Sequence, residues 1–167
     1  MNYILFDDKK RTAFLPLSFT RPVADLLSGV YTNRARWELH LDSSTSSLTE
    51  AYLDEKFEMS IENDNLLING RLLPETDILR EISDLKTGEK LVSDTDVLAM
   101  RVDGNGLKEA VQNAGDDRTG FIHNNAFSAK QTVSQVKLFE KIWDFFKMNG
   151  EIMNDDLNLI EMDSFYN

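Results

Sequence analysis

Apolar residues along the chain follow two alternating patterns. Residues 3–6 and 66–68 form short apolar runs bounded by acidic or turn-forming residues, which is typical of strands buried on both faces of a sheet. Residues 74–85 instead carry apolar side chains at every third or fourth position, followed by a Lys-Thr-Gly sequence that is typical of a helix end. The first pattern predicts buried strands, and the second predicts an amphipathic helix.

The same criteria predict further elements between and after these. Helices are predicted over residues 32–41, 48–57, 107–113 and 138–148, strands over 91–92, 96–102 and 120–123, and turns over 42–47 and 103–106. Thr32 is the expected N-cap of the first helix. Because strands and helices alternate, we predict an α/β fold with right-handed crossovers, a mainly parallel sheet and helices on both of its faces.

The composition is that of a folded chain without covalent cross-links. The 167 residues are 41% hydrophobic and contain no cysteine, so the length suits one domain with a sizeable core. The absence of cysteine excludes a disulfide framework and a thiolate zinc site. No signal-type apolar run follows Met1 and no segment approaches the length of a membrane span, which favours a cytoplasmic setting away from membranes.

The charge balance bears on the class of partner. Asp and Glu total 29 against 18 Lys and Arg, which gives a net charge of −11. A nucleic-acid partner is disfavoured, because binding a polyphosphate requires a concentrated basic face. A small anionic ligand remains compatible with this charge, since a local cluster of basic residues can override the overall sign.

Acidic and basic residues follow the first predicted strand. Asp7 and Asp8 come directly after it, and Arg21 lies on a loop between Pro16 and Pro22. Ligands of open α/β sheets bind at the carboxyl ends of the strands, so we expect a site here. A guanidinium on a loop stiffened by prolines is suited to binding phosphate oxygens.

Several segments, taken in order, resemble the N-terminal domain of a bacterial sugar nucleotidyltransferase family. They read FDD, LPLSFTRPVAD, GVYTNRARWE, LINGRLLP, and LFEKIWD followed by NG. The resemblance covers nearly the whole chain and predicts that residues 1–167 form that domain. In the bifunctional relatives that make UDP-N-acetylglucosamine, a left-handed β-helix acetyltransferase domain follows, and we expect it to be absent from this chain.

The resemblance implies a Rossmann-like nucleotidyltransferase fold, abridged in length, and a defined reaction. A sugar 1-phosphate oxygen would attack the α-phosphorus of a nucleoside triphosphate and release pyrophosphate, with UTP and N-acetylglucosamine 1-phosphate as the expected pair and Mg²⁺ as the expected cofactor. Such catalysis depends on positioning and positive charge, without a protein nucleophile. The product would serve the synthesis of cell-envelope precursors. The resemblance is also compatible with a homo-oligomer.

The residues of this expected site can be stated by role. Arg21 is the candidate catalytic residue. The candidate substrate-binding residues are Asp8, Thr20, Arg34, Asn69, Gly70 and Arg71. The candidate metal ligands are Asp7, Asp8 and Asp25.

Two departures from the family pattern bear on this expectation. The family has a glycine-rich, phosphate-wrapping loop after its first strand, whereas residues 7–11 read DDKKR, so basic side chains here are candidates to replace backbone contacts. The family also has a metal-binding aspartate in an Asn-Gly-Asp-like context, where this chain has Arg71 after Asn69 and Gly70. An arginine cannot ligate Mg²⁺.

Structural alternatives stand beside these roles. Arg21 would equally suit an ion pair with Asp8 or Asp25 that fixes the loop, and an Asp pair after a strand is common in turns. Arg34 and Arg36 would suit a solvated helix face.

Two functions from different classes therefore remain open. One is a sugar-1-phosphate nucleotidyltransferase. The other is a catalytically degenerate or incomplete nucleotide-binding module that serves the assembly or regulation of an acyltransferase domain.

Overall fold

The computed structural model describes residues 1–94, 96–115, 117–124 and 126–165, with side chains described as far as residue 160. The strands are Asn2–Phe6 (β1), Leu27–Ser28 (β2), Tyr31–Thr32 (β3), Thr45–Leu48 (β4), Asp64–Asn69 (β5), Glu89–Ser93 (β6), Asp96–Asp103 (β7) and Ser128–Gln131 (β8). The α-helices are Asn33–Leu41 (α1), Thr76–Ser83 (α2), Gly104–Asn113 (α3), Asp144–Lys147 (α4) and Asn149–Phe165 (α5). Short 3₁₀ helices occupy Lys9–Phe14, Leu17–Phe19, Val23–Asp25, Ala51–Leu53 and Gly120–His123.

Six of the strands form one sheet in the order β4-β1-β5-β7-β6-β8. β1 pairs in parallel with β4 and β5, and β6 pairs in parallel with β8. β7 is antiparallel to both of its neighbours, so it alone runs against the other strands of this sheet. The prediction of a mostly parallel sheet is confirmed, as is the prediction that the first two buried strands, β1 and β5, are neighbours.

The side chains of β1 and β5 alternate between two hydrophobic clusters, one on each face of the sheet. Leu5 and Ile68 pack on one face with apolar residues of α1 and α2, while Ile4 and Leu67 pack on the other face with Leu107 of α3. The five side chains named here are at most 1% exposed. Because a strand buried on both faces has no polar side to alternate with, it gives the continuous apolar run seen in the sequence.

A third cluster joins the loop that follows β1 to the C-terminal helices. Phe139 stacks on Phe145 with ring centroids 4.2 Å apart, and Phe14 meets Phe145 edge-on at 5.8 Å. Ile152 of α5 belongs to the same cluster. In the described part of the chain, no helix is long and apolar enough to cross a lipid bilayer.

The prediction of a helix over residues 48–57 is wrong. Residues 45–48 form the edge strand β4 and residues 51–53 form a single 3₁₀ turn. Residues 45–48 are polar except for Leu48. Their strand conformation depends on parallel pairing with β1, where Leu48 lies opposite Phe6. The local sequence does not indicate such a pairing.

The helix predicted over residues 138–148 is also wrong at its start. Leu138 forms an isolated bridge with Leu72, and Phe139 donates its N–H to the Arg71 carbonyl at 3.0 Å, so helix begins only at Asp144. The strand predicted over 120–123 is a 3₁₀ helix. The turn predicted over 103–106 is the start of α3, with Asp103 as its N-cap.

The predicted start of α1 is confirmed. Thr32 has an extended backbone, and its Oγ1 accepts a hydrogen bond from the Ala35 N–H at 3.1 Å. This contact satisfies one of the free N–H groups at the helix start.

Candidate functional site

The carboxyl ends of β1 and β5 meet the start of β7 at one edge of the sheet. Asp7 and Asp8 follow β1, Asn69 ends β5, and Asp96 begins β7. Because β7 runs antiparallel to β5, its first residue lies at the same edge as the last residue of β5. The topology therefore gathers side chains from distant parts of the sequence.

Asp8 and Arg71 form a buried ion pair at this edge. Arg71 Nη2 lies 2.6 Å from Asp8 Oδ2, and Arg71 Nε lies 3.2 Å from both carboxylate oxygens. Arg71 is 1% exposed and Asp8 is 8% exposed. Asp8 also accepts from Asn69 Nδ2 at 2.9 Å and from the Lys10 N–H at 3.0 Å. Both of its oxygens are thus engaged within the protein.

The remaining donors of Arg71 are directed to three further groups. Nη2 donates to Asp96 Oδ1 at 2.6 Å, and Nη1 donates to the Phe139 carbonyl at 3.0 Å and to Glu140 Oε1 at 3.2 Å. Lys10 Nζ joins the same carboxylates, at 2.9 Å from Asp96 Oδ2 and 3.2 Å from Glu140 Oε2. We call Asp8, Lys10, Arg71, Asp96 and Glu140 the strand-end network.

Hydrogen bonds outweigh the effect of burial on the pKa values of two members of this network, Asp96 and Lys10. Burial alone would raise the pKa of Asp96, but hydrogen bonds from Lys10 and Arg71 lower that pKa below its ordinary value. Burial would lower the pKa of Lys10, yet hydrogen bonds to Asp96 and Glu140 raise it. Lys10 and Asp96 are therefore both charged near neutral pH.

Gly70, between Asn69 and Arg71, serves the backbone of this turn. Its N–H donates to the Phe6 carbonyl at 2.8 Å, and its carbonyl accepts from Asn33 Nδ2 at 2.9 Å. A Cβ at Gly70 would lie 3.3 Å from the Phe6 carbonyl oxygen and from the Ala24 side chain, so glycine permits the close approach of β5 to the loop after β1.

Asp7 is directed away from the network and is also enclosed. It accepts from the Val23 N–H at 2.9 Å, from Thr49 Oγ1 at 2.6 Å and from Arg11 Nε at 3.2 Å. Burial raises the pKa of Asp7 to about 6, although these three donors oppose the shift. Asp7 fixes the loop after β1 to the end of β4.

A small cavity of about 60 Å³ lies beside Asp7 and Asp8. Two cations on its wall are paired within the protein, Lys9 with Asp117 at 3.0 Å and Arg118 with Asp54. Pockets for small organic ligands generally measure roughly 300 to 1,000 Å³. This cavity is thus too small for a nucleotide.

Arg34 and Asp25 form a closed pair of their own. Arg34 Nε lies 2.7 Å from Asp25 Oδ1 and Nη2 lies 3.0 Å from Oδ2. The same guanidinium donates to Thr45 Oγ1 at 2.8 Å and to Ser47 Oγ at 2.5 Å. The pair joins α1 to β4, and its donors and acceptors are directed to protein groups.

Arg21 and Thr20 lie elsewhere, on the wall of a cavity of about 580 Å³. Both side chains are exposed. The other walls are mainly apolar and come from the loop after β1, from β2 and from α4, with Leu26, Leu27, Phe145 and Phe146 among them. The structure therefore brings Asp8, Asn69 and Arg71 together but places Arg21 in a different cavity.

Arg21 differs from the other arginines in its lack of a carboxylate partner. The seven others each form an ion pair, at residues 11, 34, 36, 71, 80, 101 and 118. Within residues 1–94, 96–115, 117–124 and 126–160, Arg21 forms none. Asp8 is paired with Arg71 and Asp25 with Arg34, so neither is available for the structural ion pair considered for Arg21.

The carboxylates expected to ligate Mg²⁺ do not fit a metal site as they stand. Asp7, Asp8 and Asp25 each accept hydrogen bonds on both oxygens from buried or half-buried protein donors. Among the described residues, no group of three or more acidic or histidine side chains has the arrangement of a metal site.

Three members of the strand-end network were not predicted from the sequence. In the sequence Lys10 is one residue of a basic run, and Asp96 and Glu140 lie 25 and 69 residues from Arg71, too far apart for a local pattern to link them. The one local signal is that Asp96 begins a predicted strand. This signal places Asp96 near Arg71 only when the antiparallel direction of β7 is known.

Comparison with a solved structure supports the fold. A Bacillus anthracis protein described as a glucose-1-phosphate thymidylyltransferase, crystallised with sucrose, superposes with a TM-score of 0.55 at 9% sequence identity, covering 92% of this chain and 95% of that one. At this identity the likeness establishes the fold alone. No curated protein matches the sequence.

Comparison with family models identifies the chain more directly. The model described as sugar nucleotidyl transferase matches residues 3–164, which is nearly the full length of the chain. The match includes β1 to β8, the strand-end network and the loop that carries Arg21. The chain belongs to the sugar nucleotidyl transferase family.

Proposed function

We propose that this chain is the nucleotide-binding domain of a sugar-1-phosphate nucleotidyltransferase, with UTP and N-acetylglucosamine 1-phosphate as its substrates. The reaction joins the sugar phosphate oxygen to the α-phosphorus of UTP, and the bond from that phosphorus to the bridging oxygen of pyrophosphate breaks. Family membership supports the reaction class. The choice of UTP and N-acetylglucosamine 1-phosphate follows the resemblance to the relatives that make UDP-N-acetylglucosamine.

The observation that carries this proposal is the guanidinium of Arg21, which lies on the wall of the 580 Å³ cavity and forms no ion pair with any carboxylate in the described part of the chain. The cavity volume lies within the range typical of small-ligand sites. An arginine that has no protein carboxylate to neutralise it keeps its charge and its planar set of donors for a ligand, and phosphate oxygens match that geometry.

The rest of the cavity suits the other parts of a nucleotide. Phe146 lies on its wall and is 79% exposed, and exposed aromatic side chains are common partners for a stacked base. Thr20 adds a hydroxyl beside Arg21. A base on the aromatic side with phosphates toward Arg21 is the arrangement we propose, and the cytoplasmic supply of nucleoside triphosphates would provide the substrate.

The proposal is tested by measuring pyrophosphate release from the full chain in a buffer containing Mg²⁺. Four substrate pairs are compared, combining UTP or dTTP with N-acetylglucosamine 1-phosphate or glucose 1-phosphate. We expect the fastest release with UTP and N-acetylglucosamine 1-phosphate. The thymidylyl pair is included because the structural neighbour is described as a glucose-1-phosphate thymidylyltransferase, and faster release with that pair would overturn our choice of substrates.

A second candidate function is a non-catalytic module that binds nucleotide or supports the assembly of an acyltransferase. The internal pairing of Arg71 favours it, because a guanidinium held by Asp8 and Asp96 does not reach a bound phosphate. Nucleotide binding without pyrophosphate release from any of the four pairs would support this second function. Release from any pair would exclude it as the sole function.

A further inference from the structure

We propose that the guanidinium of Arg71, assisted by the ammonium of Lys10, is a built-in cation that occupies the carboxylate site at the ends of β1 and β5. The wild-type chain then binds no divalent cation at this edge. Removing the guanidinium would convert the same carboxylates into a cation site. The inference does not rest on the proposed function, because metal binding is measured without turnover.

The contacts of one nitrogen carry the argument. Arg71 Nη2 lies 2.6 Å from Asp8 Oδ2 and 2.6 Å from Asp96 Oδ1, so two carboxylates from different strand ends converge on a single point. Divalent cations such as Mg²⁺ and Ca²⁺ are bound by carboxylate oxygens at roughly 2.0 to 2.6 Å. The positive nitrogen thus lies where such oxygens would hold a metal.

The charges of the strand-end network also support the proposal that Arg71 and Lys10 occupy the place of a metal ion. Arg71 and Lys10 together bring two positive charges among the carboxylates of Asp8, Asp96 and Glu140, which is the charge that one divalent cation would bring. Arg71 and Asp8 are buried. A second cation placed among these groups would be repelled at close range in a medium that screens poorly.

The geometry of Asp8 leaves no room for an additional ligand bond. Its oxygens accept from Arg71, from Asn69 Nδ2 and from the Lys10 N–H. A metal would have to displace the guanidinium, which is held at its other end by the Phe139 carbonyl at 3.0 Å. The network is therefore closed to metal as long as Arg71 is present.

Mn²⁺ is a suitable probe, because it takes oxygen ligands and broadens the NMR signals of nearby amides. The full chain is titrated with Mn²⁺ as wild type, Arg71→Met, Arg71→Lys and the double variant Arg71→Met with Asp96→Asn. Circular dichroism first establishes which variants fold. The signals of Asn69 and Gly70 report on the site.

We expect no selective broadening at Asn69 and Gly70 in the wild type or in Arg71→Lys. The folded Arg71→Met chain should bind Mn²⁺ at this edge about tenfold more tightly or better, and adding Asp96→Asn should remove most of that gain. Selective broadening in the wild type would overturn the proposal, as would a folded Arg71→Met chain without a gain. If Arg71→Met does not fold, the wild-type and Arg71→Lys titrations still decide between a closed and an open site.

Discussion

Replacing Asp156 with asparagine tests how α5 is held to the rest of the domain. Asp156 is 0% exposed, and its carboxylate lies 2.6 Å from Arg36 Nε and 2.8 Å from Arg36 Nη2. It also accepts from the Val30 N–H at 2.8 Å. Asp156→Asn keeps the size of the side chain but removes its charge and one acceptor, which leaves the Arg36 guanidinium buried without its counter-ion.

Breaking one partner of a buried ion pair generally costs about 3 to 5 kcal/mol of the free energy of unfolding. Arg36 keeps hydrogen bonds to Ser28 Oγ at 3.1 Å and to the Tyr31 carbonyl at 3.0 Å, so we expect the lower end, about 3 kcal/mol. This is a large part of the roughly 5 to 15 kcal/mol by which domains are stable. Urea denaturation with linear extrapolation measures it.

The chain offers a matched control in the exposed pair of Asp77 and Arg80. Their nearest charged atoms are 3.3 Å apart, with both side chains about three-quarters exposed. Solvated pairs of this kind contribute about 1 kcal/mol or less, so Asp77→Asn should change the free energy of unfolding by no more than that. A loss below about 1 kcal/mol for Asp156→Asn, equal to that of Asp77→Asn, would refute the reasoning.

Two further predictions concern a carboxyl and a glycine. Asp7 should titrate with a pKa of about 6 by carbon-13 NMR of its carboxyl. Because this folded-state pKa exceeds the unfolded value, protonated Asp7 stabilises the fold at low pH. This contribution to the free energy of unfolding, roughly 3 kcal/mol in all, is lost as the pH rises from about 4 to about 6. A midpoint of the Asp7 titration at or below about pH 4 would contradict the prediction. Gly104→Ala should lower the free energy of unfolding by about 1 to 3 kcal/mol, since a Cβ there would lie 2.3 Å from the Glu62 carbonyl oxygen. Gly150→Ala, where a Cβ meets nothing within 4 Å, should be neutral or stabilising in the same denaturation assay, and equal losses for the two variants would be evidence against the clash.

The elements predicted correctly from the sequence are those whose signals are local. β1 and β5 are buried on both faces, so their apolar runs are continuous, and the hydroxyl of Thr32 marks the start of α1 directly. β4 could not be predicted, because Thr45, Ser46 and Ser47 have no apolar pattern and take strand conformation by pairing with β1. The apolar residues from Leu138 onward do not indicate a helix, since Leu138 is bridged to Leu72. Phe139 and Phe145 are buried, but Trp143 and Phe146 are exposed.

The candidate site shows the same division between local and distant information. The sequence located Asp8, Asn69 and Arg71 at strand ends, and the structure places them in contact. It could not show that Arg71 is held by Asp96 and Glu140, because that contact depends on the reversed direction of β7. Similarly, Arg36 was expected on a solvated helix face, but its partner Asp156 lies 120 residues away and buries it.

The most direct test of the account is the affinity of the full chain for UTP, measured by calorimetry for wild type, Arg21→Ala and Arg80→Ala. Charge-assisted hydrogen bonds generally contribute about 1.5 to 3 kcal/mol, so the account predicts that Arg21→Ala weakens UTP binding by about tenfold or more. Arg80→Ala removes an arginine of α2 that is paired with Asp77 and should leave the affinity unchanged. A folded Arg21→Ala chain that binds UTP as tightly as the wild type would contradict the account, and so would a wild-type chain that does not bind UTP.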